Sequence, residues 1–290
     1  KLKITKSSKV PPEETTEFCE GWERSSREAY TLHLADTTLI LSQRNSEWCG
    51  HGPILEQDIA ITNISLDLLG QARNFYQYAA NLTPNPSPQN GEGRNTLTPT
   101  PSLKGEGAGG EVTENSLAYL RTEREYKNLL LVEQPNSDWG QTILRQYLFS
   151  QFQYLLYEKL QNSNDEQLAA IAAKALKETT YHLRWSREWV IRLGDGTPES
   201  HQRMLKAIDE LWRYTGEMFE AADYETMVDV SLLKNDWSQK VNDVFAEATL
   251  PVPENVFMQT GGKKGMHTEH LGYILTELQY LQRTYPGCEW

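Results

Sequence analysis

The sequence predicts an all-α fold: a four-helix bundle core with additional C-terminal helices, within a chain of 290 residues. Three observations carry that expectation. Alternating runs of Val, Ile and Thr, the mark of half-buried strands, are nearly absent. Apolar residues recur instead at intervals of three and four over long stretches. Helix punctuation falls at the ends of those stretches: acidic caps, first-turn prolines and terminating glycines.

In chain order, residues 1–29 form a polar N-terminal extension carrying Pro11-Pro12 and a cluster of acids. The helical domain covers 30–290. Its first helix is expected over Thr31 to Trp48, broken by Gly50, Gly52 and Pro53, with Pro53 opening the next helix in its first turn. That second helix runs from Ile54 to Ala80, with Ile61, Ile64, Leu68, Ala72, Phe75 and Ala79 on one face. Leu82 to Val112 is an insertion of another kind. Leu82-Thr83-Pro84-Asn85-Pro86-Ser87 returns as Leu97-Thr98-Pro99-Thr100-Pro101-Ser102, and each copy is followed by Gly-Glu-Gly. Pro, Gly, Ser and Thr bury too little apolar surface to offset their ordering entropy, so disorder is expected there.

Helical pattern resumes at Leu117 to Leu131. After the turn Gln134 to Asp138, Asp138 caps a helix from Trp139 to Leu160. Asp165 caps another that reaches Leu193 and is stopped by Gly194-Asp195-Gly196. Further helices are expected over Pro198 to Ala222, Ser231 to Thr249 and Thr268 to Arg283. Gly261-Gly262-Lys263-Lys264-Gly265 reads as a flexible basic loop.

Composition narrows the function classes. With 40 acidic against 28 basic residues the net charge is −12, which disfavours unassisted nucleic-acid binding. No apolar run approaches the roughly 18 residues that a membrane span needs. The N-terminus has no apolar h-region, and Cys19, Cys49 and Cys288 have no metal-binding spacing. Reduced thiols in a cytoplasmic protein are the expectation.

A four-helix di-iron bundle carries one Glu on each of two helices and a Glu-x-x-His on each of the other two. The four long helices here hold Glu47, Asp67, Ser150 and His182 in comparable places. None of the six histidines follows a Glu by three residues. The residues at that offset are Tyr30, Trp48, Thr179, Pro198, Lys264 and His267. Gln71 is a neutral amide, the third helix offers Ser150, Gln151 and Gln153, and Thr179 stands before His182. Glu178, four before His182, is a weak substitute. Of the six ligand positions about two keep a good ligand, too few to balance the charge of two irons. Glu47, Asp67 and His182 are therefore expected to form a polar network, with Arg44, Arg73, Lys174 or Lys177 as partners.

Several strings resemble the C-subunit family of the bacterial phenylacetyl-CoA oxygenase, the 1,2-epoxidase of phenylacetate breakdown. They are Leu41-Ser42-Gln43-Arg44 with Glu47-Trp48-Cys49-Gly50-His51, Leu66-Asp67-Leu68-Leu69-Gly70-Gln71-Ala72-Arg73-Asn74, and Asn128-Leu129-Leu130-Leu131-Val132-Glu133-Gln134-Pro135-Asn136. Tyr181-His182-Leu183-Arg184 and Thr260 to Leu271 belong with them. The likeness spans Tyr30 to Trp290 apart from the insertion. It implies a ferritin-like fold and a non-catalytic subunit paired with a homologous A subunit. The di-iron centre would lie in that partner, with none in this chain, and a separate reductase would supply electrons from NADPH. It further implies that Glu47 matches a ligand glutamate. Leu68 and Gln71 would replace the first Glu-x-x-His, and Thr179 the Glu of the second, leaving His182. The insertion and the N-terminal extension depart from the family pattern.

Two other readings stay open on the residues alone. One is a degenerate metal-dependent oxidase using Glu47, Asp67, Glu178 and His182. The other is an acyl-CoA-binding module in which Lys263 and Lys264 meet phosphate; the same two lysines could instead contact a subunit or sit in a solvated turn, and the loop lacks P-loop spacing. His267 and His270 flank Glu269 and are read as capping and packing residues. His51 is read as a turn residue, and Tyr181, Trp185, Trp189 and Trp212 as core or interface aromatics.

Overall fold

A computed structural model describes residues 12–83, 112–286 and 288. Ten α-helices and no strand occur among the described residues. The core bundle consists of α1 (Pro12–Ser46), α2 (Leu55–Leu82), α5 (Trp139–Leu160) and α6 (Glu166–Gly194). Between α2 and α5 lie the short α3 (Glu114–Tyr119) and α4 (Leu130–Glu133). After α6 come α7 (Pro198–Leu211), α8 (Leu233–Glu247), α9 (Glu269–Leu278) and α10 (Tyr280–Thr284). The segment 84–111, almost all of the repeat insertion, lies outside the described residues.

Side-chain bonds fix the antiparallel register. Ser42 on α1 donates to the Ser65 carbonyl on α2 at 2.8 Å, and Asn45 donates to Gln146 on α5 at 2.8 Å. Thr179 on α6 meets Gln153 on α5. α1 and α5 are the inner helices. α5 is buried nearly all round although it carries Gln141, Thr142, Arg145, Gln146, Ser150, Gln151 and Gln153. Such groups are tolerated in a core only when paired, and the bonds of Gln146, Ser150 and Gln153 belong to the site described below. α4 and α9 cover α1, while α7 and α8 cover α5.

The expected caps are present. Asp138 accepts from Gln141 N at 2.9 Å, and Asp165 from Leu168 N at 3.0 Å. Pro198 sits in the first turn of α7, behind a Thr197–Ser200 capping box. α2, α5 and α6 end within two residues of their expected limits.

Four stretches differ from the sequence expectation. α1 starts at Pro12 rather than Thr31. The polar segment before Thr31 shows no apolar stripe, yet Glu, Arg and Ala favour helix without one. Arg27 lies 3.8 Å from Asp165 and Glu28 accepts from Thr83 at 2.9 Å, tying these residues into the bundle.

The helix expected over Leu117 to Leu131 is broken. α3 ends at Tyr119, a single 3₁₀ turn covers Glu123–Glu125, and the chain then extends to α4. Tertiary acceptors replace the helical bonds: Lys127 N donates to Asp36 at 2.8 Å, and Leu130 N to Glu217 at 2.8 Å. α7 likewise stops at Leu211, giving way to 3₁₀ turns over Trp212–Tyr214 and Gly216–Phe219. There Glu217 turns inward to accept backbone N–H groups from Leu130 and Gly261. The last expected helix is two helices. Their junction is Gln279, which donates to the Arg121 carbonyl at 2.9 Å.

Candidate functional site

The middle of the bundle, where α2, α5 and α6 face one another, is closed by a run of amides. Gln71 Nε2 donates to Glu178 Oε2 at 2.9 Å, and Gln71 Oε1 accepts from Gln153 Nε2 at 3.1 Å. The same Gln153 amide reaches the Tyr157 hydroxyl at 3.0 Å, and Thr179 Oγ1 donates to Gln153 Oε1 at 3.3 Å. Leu68 is fully buried alongside. Toward one end of the bundle, Gln146 links Ser150 to Asn45. Apart from Glu178 these groups are neutral.

His182 is fully buried. Its Nε2 lies 3.0 Å from Asp67 Oδ2, while Nδ1 is buried without a partner. Facing a carboxylate oxygen, Nε2 is the ring nitrogen placed to donate. Asp67 is 39% exposed and opens toward the surface. Of the residues expected to form a polar network, His182 and Asp67 pair with each other, and Gln71 with Glu178 adds a pair that the sequence reading did not anticipate.

Glu47 makes the expected ion pair with Arg44 but lies apart from these residues. α1 ends at Ser46, and Glu47 sits in the following turn, accepting from Arg44 at 2.9 Å and Asn136 at 2.8 Å. Four α1 residues, His33, Leu34, Thr37 and Thr38, share a small cavity with Gln153, and Thr38 is the last of them in the chain. Glu47 lies about two and a half turns farther along the chain. Of the other partners expected from sequence, Arg73 lies 3.7 Å from Glu114, while Lys174 and Lys177 make no ion pair among the described residues.

No grouping of three or more His, Cys, Asp or Glu among the described residues suits a metal ion. Leu68 and Thr179 supply no anionic oxygen, and Gln71 no imidazole. The donor set therefore does not fit a di-iron pair, which needs carboxylates to balance its charge.

The basic loop is built differently from a solvated turn. The Lys263 ammonium is 4% exposed, 2.8 Å from Glu225 Oε2, and also donates to the Glu220 carbonyl at 2.8 Å. Gly261 N and Lys263 N both point at Glu217 Oε1. Gly265 has φ +75°, and a Cβ there would overlap the Arg124 carbonyl. Only Lys264 is exposed, beside a cleft of about 90 Å³ that also contains Glu217 and Glu220. The backbone donors and the inner ammonium are already committed, and the neighbouring carboxylates oppose an incoming phosphate.

The family model for the phenylacetic acid catabolic protein matches residues 16–290. The chain belongs to the phenylacetic acid catabolic protein family. It is 48% identical over 269 residues to the C subunit of the 1,2-phenylacetyl-CoA epoxidase of Escherichia coli (strain K12), covering 90% of this chain and 98% of that protein.

Sequence reasoning missed several polar centres of this family member. Asp36 on α1 pairs with Arg121 and accepts from the Tyr76 hydroxyl, all three buried. Glu133, fully buried, accepts from Thr268 N at 2.7 Å and from Asn128 at 3.0 Å. His267 Nδ1 lies 3.1 Å from Glu133, and its Nε2 lies 2.9 Å from the Tyr126 carbonyl. Both ring nitrogens of His267 thus face acceptors. Burial opposes the charged ring, but Glu133 and the carbonyl outweigh it and raise the pKa. At His33 burial dominates, helped by Lys263, and lowers the pKa despite Glu225. Arg145 is fully buried against neutral acceptors, Asn136 at 2.6 Å and the Gln134 carbonyl. Burial, with Arg44 nearby, pushes its pKa down to about 9. The signal available in the sequence was a charged residue inside an otherwise inward-facing run, as at Asp36 and Arg145.

Proposed function

We propose that this chain is a non-catalytic structural subunit of a multicomponent oxygenase that epoxidises the ring of phenylacetyl-CoA during phenylacetate catabolism. The observation that carries this reading is the amide network at mid-bundle. Leu68, Gln71 and Thr179 stand where two Glu-x-x-His pairs would need carboxylates and an imidazole, and Gln153 ties Gln71 to Thr179. The similarity to the C subunit of an epoxidase supports the pathway assignment.

In this reading the di-iron centre resides in a homologous catalytic A subunit, and a reductase supplies its electrons. This chain's own contribution is mechanical. Neutral hydrogen bonds replace metal–ligand bonds as the element that holds α2, α5 and α6 in register. In this reading the assembly works in the cytoplasm, without nucleic acid or membrane. No helix among the described residues is long and apolar enough to cross a bilayer.

The test is co-expression with the A subunit, followed by affinity purification and metal analysis of each chain. The reading expects a stable complex whose iron follows the A subunit. Stoichiometric iron in this chain, with no A subunit bound, would overturn it.

One observation favours a second reading, a degenerate metal-dependent oxidase: His182 Nδ1 is buried inside the bundle without a hydrogen-bond partner. That reading requires metal uptake by the isolated chain and its loss in His182→Ala. An acyl-CoA-binding module would have to rely on Lys264 alone, because Lys263 is paired inward.

A further inference from the structure

We infer that the outward face of α2 is the docking surface for an unlike helical subunit. The inference deepens the subunit role proposed above and rests on it. Leu55, Ile59, Leu66 and Leu69 are between 42% and 71% exposed. With Thr62 between them they follow a four-three-four-three spacing, the pattern of a coiled-coil seam. The same helix sends Ile61, Ile64, Leu68, Ala72 and Phe75 into the core. α2 is therefore apolar on two faces, and a helix of that kind is normally covered on both.

Nothing among the described residues provides the second cover. α1 is sheltered by α4 and α9, and α5 by α7 and α8, but α2 keeps this face open.

Gly70 supplies an independent observation. It lies mid-helix beside Leu69, is exposed, and a Cβ added there would meet no atom within 4 Å. Glycine in a helix interior is unfavourable relative to alanine. No described part of this chain needs the missing Cβ, whereas a second helix backbone approaching closely would.

The occupant follows from spacing, size and charge. Heptad spacing selects a helix. Leu55 to Leu69 spans roughly 21 Å, about four turns along which a partner helix can lie. A net charge of −12 on each copy opposes pairing of two identical chains. The face therefore belongs to an unlike helical partner with its own apolar seam, which in the assembly proposed above is the metal-bearing A subunit.

The test co-expresses the full chain with the A subunit and measures the amount retained by affinity purification. Leu66→Lys with Leu69→Lys is expected to lower the retained partner by at least about tenfold, a loss of the size that follows from removing interface anchors. Leu232→Lys, at a residue 73% exposed just before α8, should leave it unchanged. Gly70→Gln separates docking from folding, because it should raise the melting temperature of the isolated chain while weakening the complex. Full retention by the double variant overturns the proposal. So does a homodimer of the wild-type chain that the double variant dissociates, since that places a second copy on the face. Failure of the wild-type chain to retain any A subunit would instead overturn the subunit role itself.

Discussion

Gln71 and Gln153 face each other across the bundle, the Gln153 amide donating to the Gln71 carbonyl oxygen at 3.1 Å. Gln71 also donates to Glu178, and Gln153 also accepts from Thr179, so two side chains link α2, α5 and α6. Gln153→Leu would leave Gln71 Oε1 and the Thr179 hydroxyl buried without these partners. A buried group stripped of its hydrogen bond costs about 1–3 kcal/mol. Urea denaturation should show a loss of that size. A change below about 0.5 kcal/mol, the range of surface substitutions, would mean that the network does not hold the helices.

Leu68→Glu, Gln71→His and Thr179→Glu together would create both missing Glu-x-x-His pairs, with His182 retained. Without metal the triple variant should melt below the wild type, because two carboxylates are buried unpaired. Adding Zn²⁺ or Co²⁺ should restore about 2–3 kcal/mol at saturating concentration. Wild type should show no such response. A variant indifferent to metal would show that these positions do not converge as ligands.

Asp36 and Arg121 form a fully buried pair with Tyr76 between them. Asp36→Ala leaves the guanidinium uncompensated, and breaking one side of such a pair costs about 3–5 kcal/mol. Replacing both, as Asp36→Ala with Arg121→Met, should recover part of the loss. If both variants unfold at the same denaturant concentration, the pair is not the source of the effect.

His267 and His33 should give opposite pH dependences. The pKa of His267 is raised by Glu133, so its contribution is full below the unfolded value near 6.5 and fades as pH rises through the higher folded value. The stability gap between wild type and His267→Asn should therefore shrink above about pH 6.5. His33 is lowered by burial, so its neutral ring contributes above that value and the contribution is lost as pH falls through it. The gap for His33→Asn should shrink toward acid. Melting curves across this range check both signs.

Lys263→Ala should be severe and Lys264→Ala nearly silent, although sequence places the two side by side. Lys263 neutralises the buried Glu225, and its removal should cost about 3–5 kcal/mol. Lys264 is exposed and should stay within about 0.5 kcal/mol. If CoA binding by the assembly falls in Lys264→Ala, the loop has a ligand role after all.

Much of this was legible before the structure. Apolar spacing located α2, α5 and α6 because each buries a broad face, and Asp138 and Asp165 act as the caps their positions suggest. Gln71 and Thr179 are joined through Gln153, and Leu68 and His182, each three residues away on the same helix face, are buried as well. Glu47 is expected on the first helix, but α1 ends at Ser46 and Glu47 falls in the turn that follows, paired with Arg44 as expected. The breaks at 120–129 and 212–219 escaped notice as well. There the backbone bonds go to Asp36 and Glu217, acceptors remote in sequence that no local pattern reveals. Lys263 looked like a surface lysine because its partner Glu225 lies well before it in the chain.

Iron content per chain, measured on this protein purified alone from iron-supplemented cells, tests the central claim most directly. A bundle interior closed by Gln71, Gln153 and Thr179 should retain far less than one iron per chain. A bound pair of irons, lost in His182→Ala, would contradict it.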